Sequence, residues 1–147
     1  MRTIELDLPE AEFERLNALY PPTAKSSTVG ERAVELVKFY FRTLDCDCQF
    51  HVPGGGVDLE VTGKELSERI EIKGTADADI AWMKLKVSGK PCYDRLLEDL
   101  PLYRVLAVYD RNPRICVLKY SEDFEIVSEL RWALRPRRVR TFPDPVA

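Results

Sequence analysis

Two short segments of alternating apolar and polar residues, joined by one turn, constrain the fold of this chain more than any other feature. Residues 57–61 read VDLEV and residues 69–75 read RIEIKGT, with the turn TGKELS between them. A period of two is typical of half-buried strands, and a turn of this length predicts that the strands pair as a hairpin. One polar face of this hairpin would carry Asp58 on its first strand and Glu71 and Lys73 on its second.

Helical and strand-like patterns surround the hairpin and predict one ordinary domain for the 147 residues. Thr28 and Glu31 have the spacing of a capping box, which predicts that the strongest helix opens there. In chain order, we predict a strand at 3–9, helices at 10–20 and 28–44, a strand at 46–52, the hairpin, a helix after Pro91, a second hairpin at 102–110 and 115–120, and a helix at 124–134. This order predicts an α/β fold with a mixed central β-sheet flanked by helices.

The polar face of the first hairpin suits the hydrolysis of phosphodiesters. If the register brings Asp58 beside Glu71, the two carboxylates can hold Mg²⁺, which prefers oxygen ligands. A bound metal polarises a phosphate and lowers the pKa of a bound water, and Lys73 can stabilise charge that develops on the phosphate. The alternative is an amphipathic hairpin whose charged face is ordinary solvated surface.

The segments GVDLEV and RIEIKGT, preceded by the helix GERAVELVKFYF, resemble the PD-(D/E)XK nuclease superfamily over roughly residues 27–120. The resemblance implies a restriction-endonuclease-like core with Asp58, Glu71 and Lys73 as its catalytic residues. It also implies that Asp58 and Glu71 bind Mg²⁺, for which Mn²⁺ can substitute, together with an auxiliary carboxylate from Glu31 or Glu35. The superfamily has proline before the aspartate, where this chain has valine.

We therefore expect a metal-dependent DNA endonuclease that acts as a homodimer to cut both strands. Its expected divisions are a packing or dimerisation extension at 1–26, the nuclease-like domain at 27–134 and a basic tail at 135–147. The net charge of −3 argues against a uniformly basic surface, so local clusters must contact the DNA backbone. The candidate contacts, which could also be solvated surface, are Lys84, Lys86, Lys90, Arg135, Arg137, Arg138 and Arg140.

The first 44 residues are also similar to ribbon-helix-helix DNA-binding proteins, with a strand, Leu-Pro, a helix, a serine-containing turn and a second helix. In that arrangement Thr3, Glu5 and Asp7 would face the major groove. Two carboxylates facing a polyanion are electrostatically unfavourable. A regulator or antitoxin of this type is the first alternative function, and a catalytically silent nuclease fold that binds nucleic acid or a protein is the second.

The cysteines and the hydropathy of the chain suggest neither a structural zinc site nor a membrane protein. Cys46, Cys48 and His51 are spaced more closely than paired zinc ligands, and no second pair completes the set, so we interpret the cysteines as structural thiols. No apolar run approaches the roughly 20 residues of a transmembrane helix, and the N-terminus lacks a signal-peptide pattern. We expect a cytoplasmic protein.

Overall fold

The computed structural model of the protein describes residues 1–128 and 132–137. Three α-helices and eight strands lie in these residues, together with a short 3₁₀ helix at Trp82–Lys84. The α-helices are α1 (Glu10–Leu19), α2 (Ser26–Leu44) and α3 (Lys90–Leu97). The strands are β1 (Arg2–Glu5), β2 (Gln49–His51), β3 (Leu59–Thr62), β4 (Ser67–Gly74), β5 (Leu102–Leu106), β6 (Arg114–Leu118), β7 (Phe124–Val127) and β8 (Ala133–Pro136).

Six strands form one mixed sheet in the order β1-β6-β5-β4-β3-β2. β4 and β5 are parallel, and the chain between them crosses over through the 3₁₀ helix and α3. The other neighbouring pairs of this sheet are antiparallel. The prediction of a mixed α/β fold is confirmed, and so are the hairpins β3–β4 and β5–β6.

The two faces of the sheet are covered by different elements and bury separate apolar cores. α2 lays Leu36 and Phe41 on the first face, where they meet Ile70 and Ile72 of β4. On the second face, the buried side chains come from α3, from the segment before it, and from β5, β6, β7 and β8; they include Leu85, Leu96, Leu102, Cys116, Phe124 and Leu134. Burying each large aliphatic side chain stabilises the fold by about 1.5–3 kcal/mol. The two cores hold β4 rigidly in the middle of the sheet.

Two predicted helix features are wrong. α2 begins at Ser26, with Lys25 as a cap residue that makes no side-chain capping bond, so Thr28 lies inside the helix and forms no capping box with Glu31. The helix predicted at 124–134 is replaced by β7 and β8, which pair antiparallel in a separate two-stranded sheet. Phe124 is fully buried in the second core, and this packing favours the extended form; residues 129–131 lie outside the described part.

The N-terminal strand belongs to the main sheet, because β1 pairs antiparallel with β6 and places Thr3 opposite Cys116. α1 buries Leu16 in the same core as α2. Among the described helices, none combines the length and the apolar character needed to cross a membrane.

Candidate active site

The hairpin β3–β4 opens at Asp58, the residue just before β3. Asp58 N–H donates to the carbonyl of Ile70 at 3.0 Å, although the strand register pairs Ile70 with Leu59, so the regular ladder has already ended at Asp58. Two residues after Ile70 on β4, the N–H of Ile72 donates to Asp58 Oδ2 at 2.8 Å. A side-chain oxygen of Asp58 therefore takes the place of a main-chain acceptor. β3 therefore leaves β4 at this point, and the β4 edge after Ile72 lacks a paired strand on that side among the described residues.

Three glycines before β3 create the turn that carries the chain into this position. Gly54, Gly55 and Gly56 all have positive φ, at 77°, 65° and 89°, a region that other residues adopt only at an energetic cost. Gly56 also packs directly on the main chain of α3, where an added Cβ would lie 2.3 Å from the carbonyl oxygen of Pro91. This contact brings the first turn of α3 against the end of the hairpin.

Asp58 and Glu71 are brought together across the opening. Asp58 directly precedes and Glu71 directly follows the last pair of the register, Leu59 with Ile70, and both side chains line one cavity. Glu71 is only 2% exposed, whereas Asp58 reaches the surface. Burial raises the pKa of Glu71 to about 8, and a hydrogen bond with Asp58 and the negative charge of Asp58 add to this rise. Glu71 therefore holds a proton at neutral pH when no cation is bound.

Cys92, in the first turn of α3, completes the surroundings of Glu71. Its Sγ donates a hydrogen bond to Glu71 Oε2 at 2.7 Å. Burial, followed by the contact with Glu71, raises the pKa of Cys92 to about 11, so the group remains a thiol at neutral pH. We interpreted this cysteine from the sequence only as a structural thiol, and the contact joins residues 21 positions apart. No local sequence pattern signals this contact, because it depends on the parallel pairing of β4 with β5, which carries the chain through α3.

The two carboxyl groups and the thiol line a small cavity of about 320 Å³, which we call the carboxylate cavity. Its other walls come from the glycine turn and from the residues that lead into α3, including Gly54, Gly56, Ser88 and Gly89. A cavity of this size admits a phosphate group and a few waters.

Lys73 lies on the same face of β4 as Glu71 but lines a different cavity. The positive charge of Lys73 lowers the pKa of Glu71, although this is the smallest of the five influences on that group. The second cavity has a volume of about 590 Å³, and we call it the lysine cavity because Lys73, Lys84 and Lys86 line it. The predicted catalytic residues are thus divided between two neighbouring cavities.

Neither predicted auxiliary glutamate joins the carboxylate pair. Glu35 forms ion pairs with Arg15 at 3.7 Å and with Lys38 at 3.9 Å. Glu31 is exposed on α2. Within residues 1–128 and 132–137, no group of three or more His, Cys, Asp and Glu side chains is arranged to hold a metal ion. This finding also applies to Cys46, Cys48 and His51.

The predicted DNA contacts fall into several groups. Lys84 and Lys86 line the lysine cavity, whereas Lys90 forms an ion pair with Asp94 on α3. Two of the predicted arginines donate hydrogen bonds within the fold. Arg135 donates to the carbonyls of Trp82 and Leu134. Arg137 donates to the carbonyls of Tyr120 and Phe124. Arg138 and Arg140 lie outside the described residues.

Comparison of the sequence with families of known proteins, with curated proteins and with solved structures finds no match. For the ribbon-helix-helix alternative, β1 already has one edge occupied by β6, and its other edge is the outer edge of the sheet.

The donor set of the carboxylate cavity fits a hard divalent cation. Asp58 Oδ2 is engaged with the main chain, which leaves Oδ1 and the Glu71 carboxyl as oxygen donors. Mg²⁺ commonly takes one or two protein carboxylates and completes its shell with water and substrate phosphate, so a third protein carboxylate is not required. Burial is the main cause of the raised pKa of Glu71 and the neighbouring Asp58 adds to it, so a cation beside these residues would favour the ionised form of Glu71.

Proposed function

We propose that the protein is a metal-dependent DNA endonuclease of PD-(D/E)XK type. The observation that carries the proposal is that Asp58 and the buried Glu71 line one cavity at the point where β3 leaves β4. Two carboxylates that line one cavity, one of them buried and protonated, are unfavourable for stability and typical of a site that binds a cation.

The order of elements supports the proposal. α2 is followed by the antiparallel strands β2, β3 and β4, then by α3 and by β5, which is parallel to β4. The sequence resemblance implies a restriction-endonuclease-like core, and an arrangement of one helix, three antiparallel strands, one helix and a parallel strand is compatible with such a core. The two carboxylates and Lys73 come from the central hairpin of this arrangement.

Asp58 and Glu71 would hold Mg²⁺, or Mn²⁺ in its place. When bound, the ion supplies polarisation of the phosphate and a lowered pKa for a bound water. Hydrolysis forms one P–O bond to the water oxygen and breaks one to a sugar oxygen, which takes up a proton as it leaves. Lys73, a charged ammonium group on the same strand face as Glu71, would stabilise the negative charge on the phosphate oxygens. Glu71 must lose its own proton before it can act as a ligand.

Cleavage of supercoiled plasmid in Mg²⁺ or Mn²⁺ tests the proposal. Asp58→Asn keeps a side-chain oxygen for the N–H of Ile72, so the hairpin is preserved while the charge is lost. We expect this variant and Lys73→Ala to lose at least about 100-fold in rate. The matched control is Glu60→Gln, which removes a carboxylate from the same hairpin and breaks only the 3.4 Å ion pair with Arg69. Cleavage by Asp58→Asn at the wild-type rate would refute the proposal.

A homodimer on DNA is part of the proposal, because one site cuts one strand. The cleavage product distinguishes a dimer from a monomer. A dimer converts supercoiled plasmid directly to the linear form, whereas a monomer accumulates nicked circles. Analytical ultracentrifugation with and without a DNA duplex provides the independent measurement of the oligomeric state.

The second candidate function is a catalytically silent binding module of the same fold. It is favoured by the division of Asp58 and Lys73 between two cavities, since a single catalytic centre would bring them together. Such a module would bind nucleic acid equally well in EDTA and in Mg²⁺, and it would leave the plasmid intact.

A further inference from the structure

The lysine cavity is a positively charged concave surface. It lies beside the β4 edge that β3 leaves uncovered, between the first turns of α2 and the segment after β4. Its lining carries the four cations Lys73, Lys84, Lys86 and Arg104, and the described residues that line it include no aspartate or glutamate. A cavity with this charge is suited to an anion.

Arg104 gives the cavity a fixed positive charge. Its side chain is 2% exposed. Nε donates to the carbonyl of Ile80 at 2.8 Å and Nη1 donates to the carbonyl of Gly74 at 3.0 Å, and within the described residues no carboxylate accepts from this guanidinium. Burial lowers the pKa of Arg104 to about 10, so the group stays charged at neutral pH. Asp77 and Asp79 act on the guanidinium only through space, so its direct hydrogen-bond acceptors are carbonyl groups and an anion in the cavity would stabilise its charge.

The lysines that line the cavity supply further ammonium groups. Lys84 forms an ion pair with Asp77 at 2.7 Å, but both side chains are well exposed, so the pair is weak and an anion can compete for the ammonium group. Lys86 is held at the cavity wall by a bridge between its main chain and that of Ala133. Lys73 projects from β4 on the same face as Glu71, about 7 Å further along the strand.

We propose that the lysine cavity binds a phosphate group of the polynucleotide, next to the phosphate that the carboxylate cavity would hydrolyse. The proposal rests on the proposed endonuclease function and adds to it a second phosphate site formed by Lys84, Lys86 and Arg104. Glu71 lines one cavity and Lys73, two residues further along β4, lines the other, so a strand with one phosphate in the carboxylate cavity would present a neighbouring phosphate to these cations.

The test measures the binding of single-stranded DNA in EDTA. Fluorescence anisotropy of a 3′-labelled oligonucleotide reports the affinity over a range of salt concentrations. The test variant is the double substitution Lys84→Gln with Lys86→Gln. The matched control is Lys64→Gln with Lys119→Gln, which removes the same charge from two exposed positions outside the cavity. Loss of two phosphate contacts should reduce the slope of log affinity against log salt by about 1.4 and weaken binding by about tenfold in 0.1 M salt, while the control stays within about twofold of the wild type.

Three ligands distinguish the sources of the phosphate. A loss in the test variant that is equal for 5′-phosphorylated and 5′-hydroxyl oligonucleotides assigns the cavity to an internal phosphate. A loss seen only with the 5′-phosphorylated oligonucleotide assigns it to a chain end. If inorganic phosphate competes with the oligonucleotide for the wild type but not for the test variant, the phosphate group alone is sufficient for binding in the lysine cavity. A variant in which arginine replaces both lysines should restore binding.

The inference is overturned if the test variant keeps the wild-type affinity and salt slope, or if the wild type binds neither oligonucleotide in EDTA. Failure of the endonuclease proposal is recorded separately, as absence of plasmid cleavage in Mg²⁺ and Mn²⁺. Cleavage together with unchanged binding by the test variant rejects the phosphate site alone. Lysine-dependent binding without cleavage rejects the endonuclease alone.

Discussion

The buried carboxyl of Glu71 makes the stability of the protein depend on pH, and the substitution Glu71→Gln should remove this dependence. The pKa of Glu71 is about 8 in the folded protein, against 4.5 for an unperturbed glutamate. Between these two values the folded chain keeps a proton that the unfolded chain has lost. Stability therefore falls as the pH rises through this range and levels off above the folded pKa.

The size of the effect follows from the two pKa values. Where only the folded chain holds the proton, the free energy of unfolding decreases by about 1.4 kcal/mol for each pH unit. Between pH 6 and pH 8 the wild type should therefore lose about 2 kcal/mol through Glu71 alone. Glutamine is neutral throughout, and its amide can donate to Asp58 while its oxygen accepts from Cys92. The variant should keep the packing of the site and lack this loss.

Urea unfolding at pH 6, 7 and 8 in EDTA measures the difference. Groups that titrate elsewhere contribute equally to wild type and variant, so the difference between the two pH profiles isolates Glu71. The control is Glu60→Gln, whose carboxylate is half-exposed on the same hairpin; its profile should follow the wild type. If Glu71→Gln also follows the wild-type profile to within about 0.5 kcal/mol, the reasoning is refuted.

Three further substitutions test the packing around the site. In urea unfolding, Gly56→Ala should destabilise the fold by several kcal/mol more than Gly55→Ala. Both positions have positive φ, but only a Cβ at position 56 would press into the main chain of α3. Leu96→Ala should lower the free energy of unfolding by about 2–5 kcal/mol, against less than about 1 kcal/mol for Leu97→Ala, because the first leucine is fully buried and the second is 40% exposed. Cys92→Ala removes the thiol hydrogen bond that lowers the pKa of the buried glutamate, so the midpoint of its pH profile should move up.

The hairpin at the centre of the fold could be predicted because its information is local. Alternation along VDLEV and RIEIKGT determines which side chains face the core, and a shift of one residue in the register would expose Ile70 and Ile72. The same register ends with Leu59 opposite Ile70, so Asp58 and Glu71 are the next residues on the two sides of the hairpin, and their place in one cavity followed from the pattern. The second hairpin and α3 could be predicted for similar reasons, since Pro91 favours a helix start.

Features that depend on distant packing could not be predicted from the sequence. The segment FEIV fits both a short strand and one turn of a helix, and the contact of Phe124 with the second core favours the strand. The start of α2 at Ser26 shows that the Thr28 and Glu31 spacing occurs inside a helix as well as at its cap. Cys92 contacts Glu71 because of where α3 lies in three dimensions. Lys73 likewise lines a different cavity from Asp58 because of the position of the lysine cavity beside β4.

The charged side chains of the hairpin form two different arrangements on one face, and this difference separates the site from ordinary surface. Glu60 and Arg69 lie opposite each other and form an ion pair, as a solvated hairpin face would. Two residues further along β4, Glu71 lies beside another carboxylate and a thiol, while Lys73, also on β4, forms no ion pair with it. A chain selected only for stability would pair these opposite charges, because a buried carboxyl with its pKa raised to about 8 reduces stability at neutral pH. The interpretation as plain charged surface explains the first arrangement and leaves the second without a cause, whereas a cation between the carboxylates and a phosphate beside Lys73 would account for both unpaired charges.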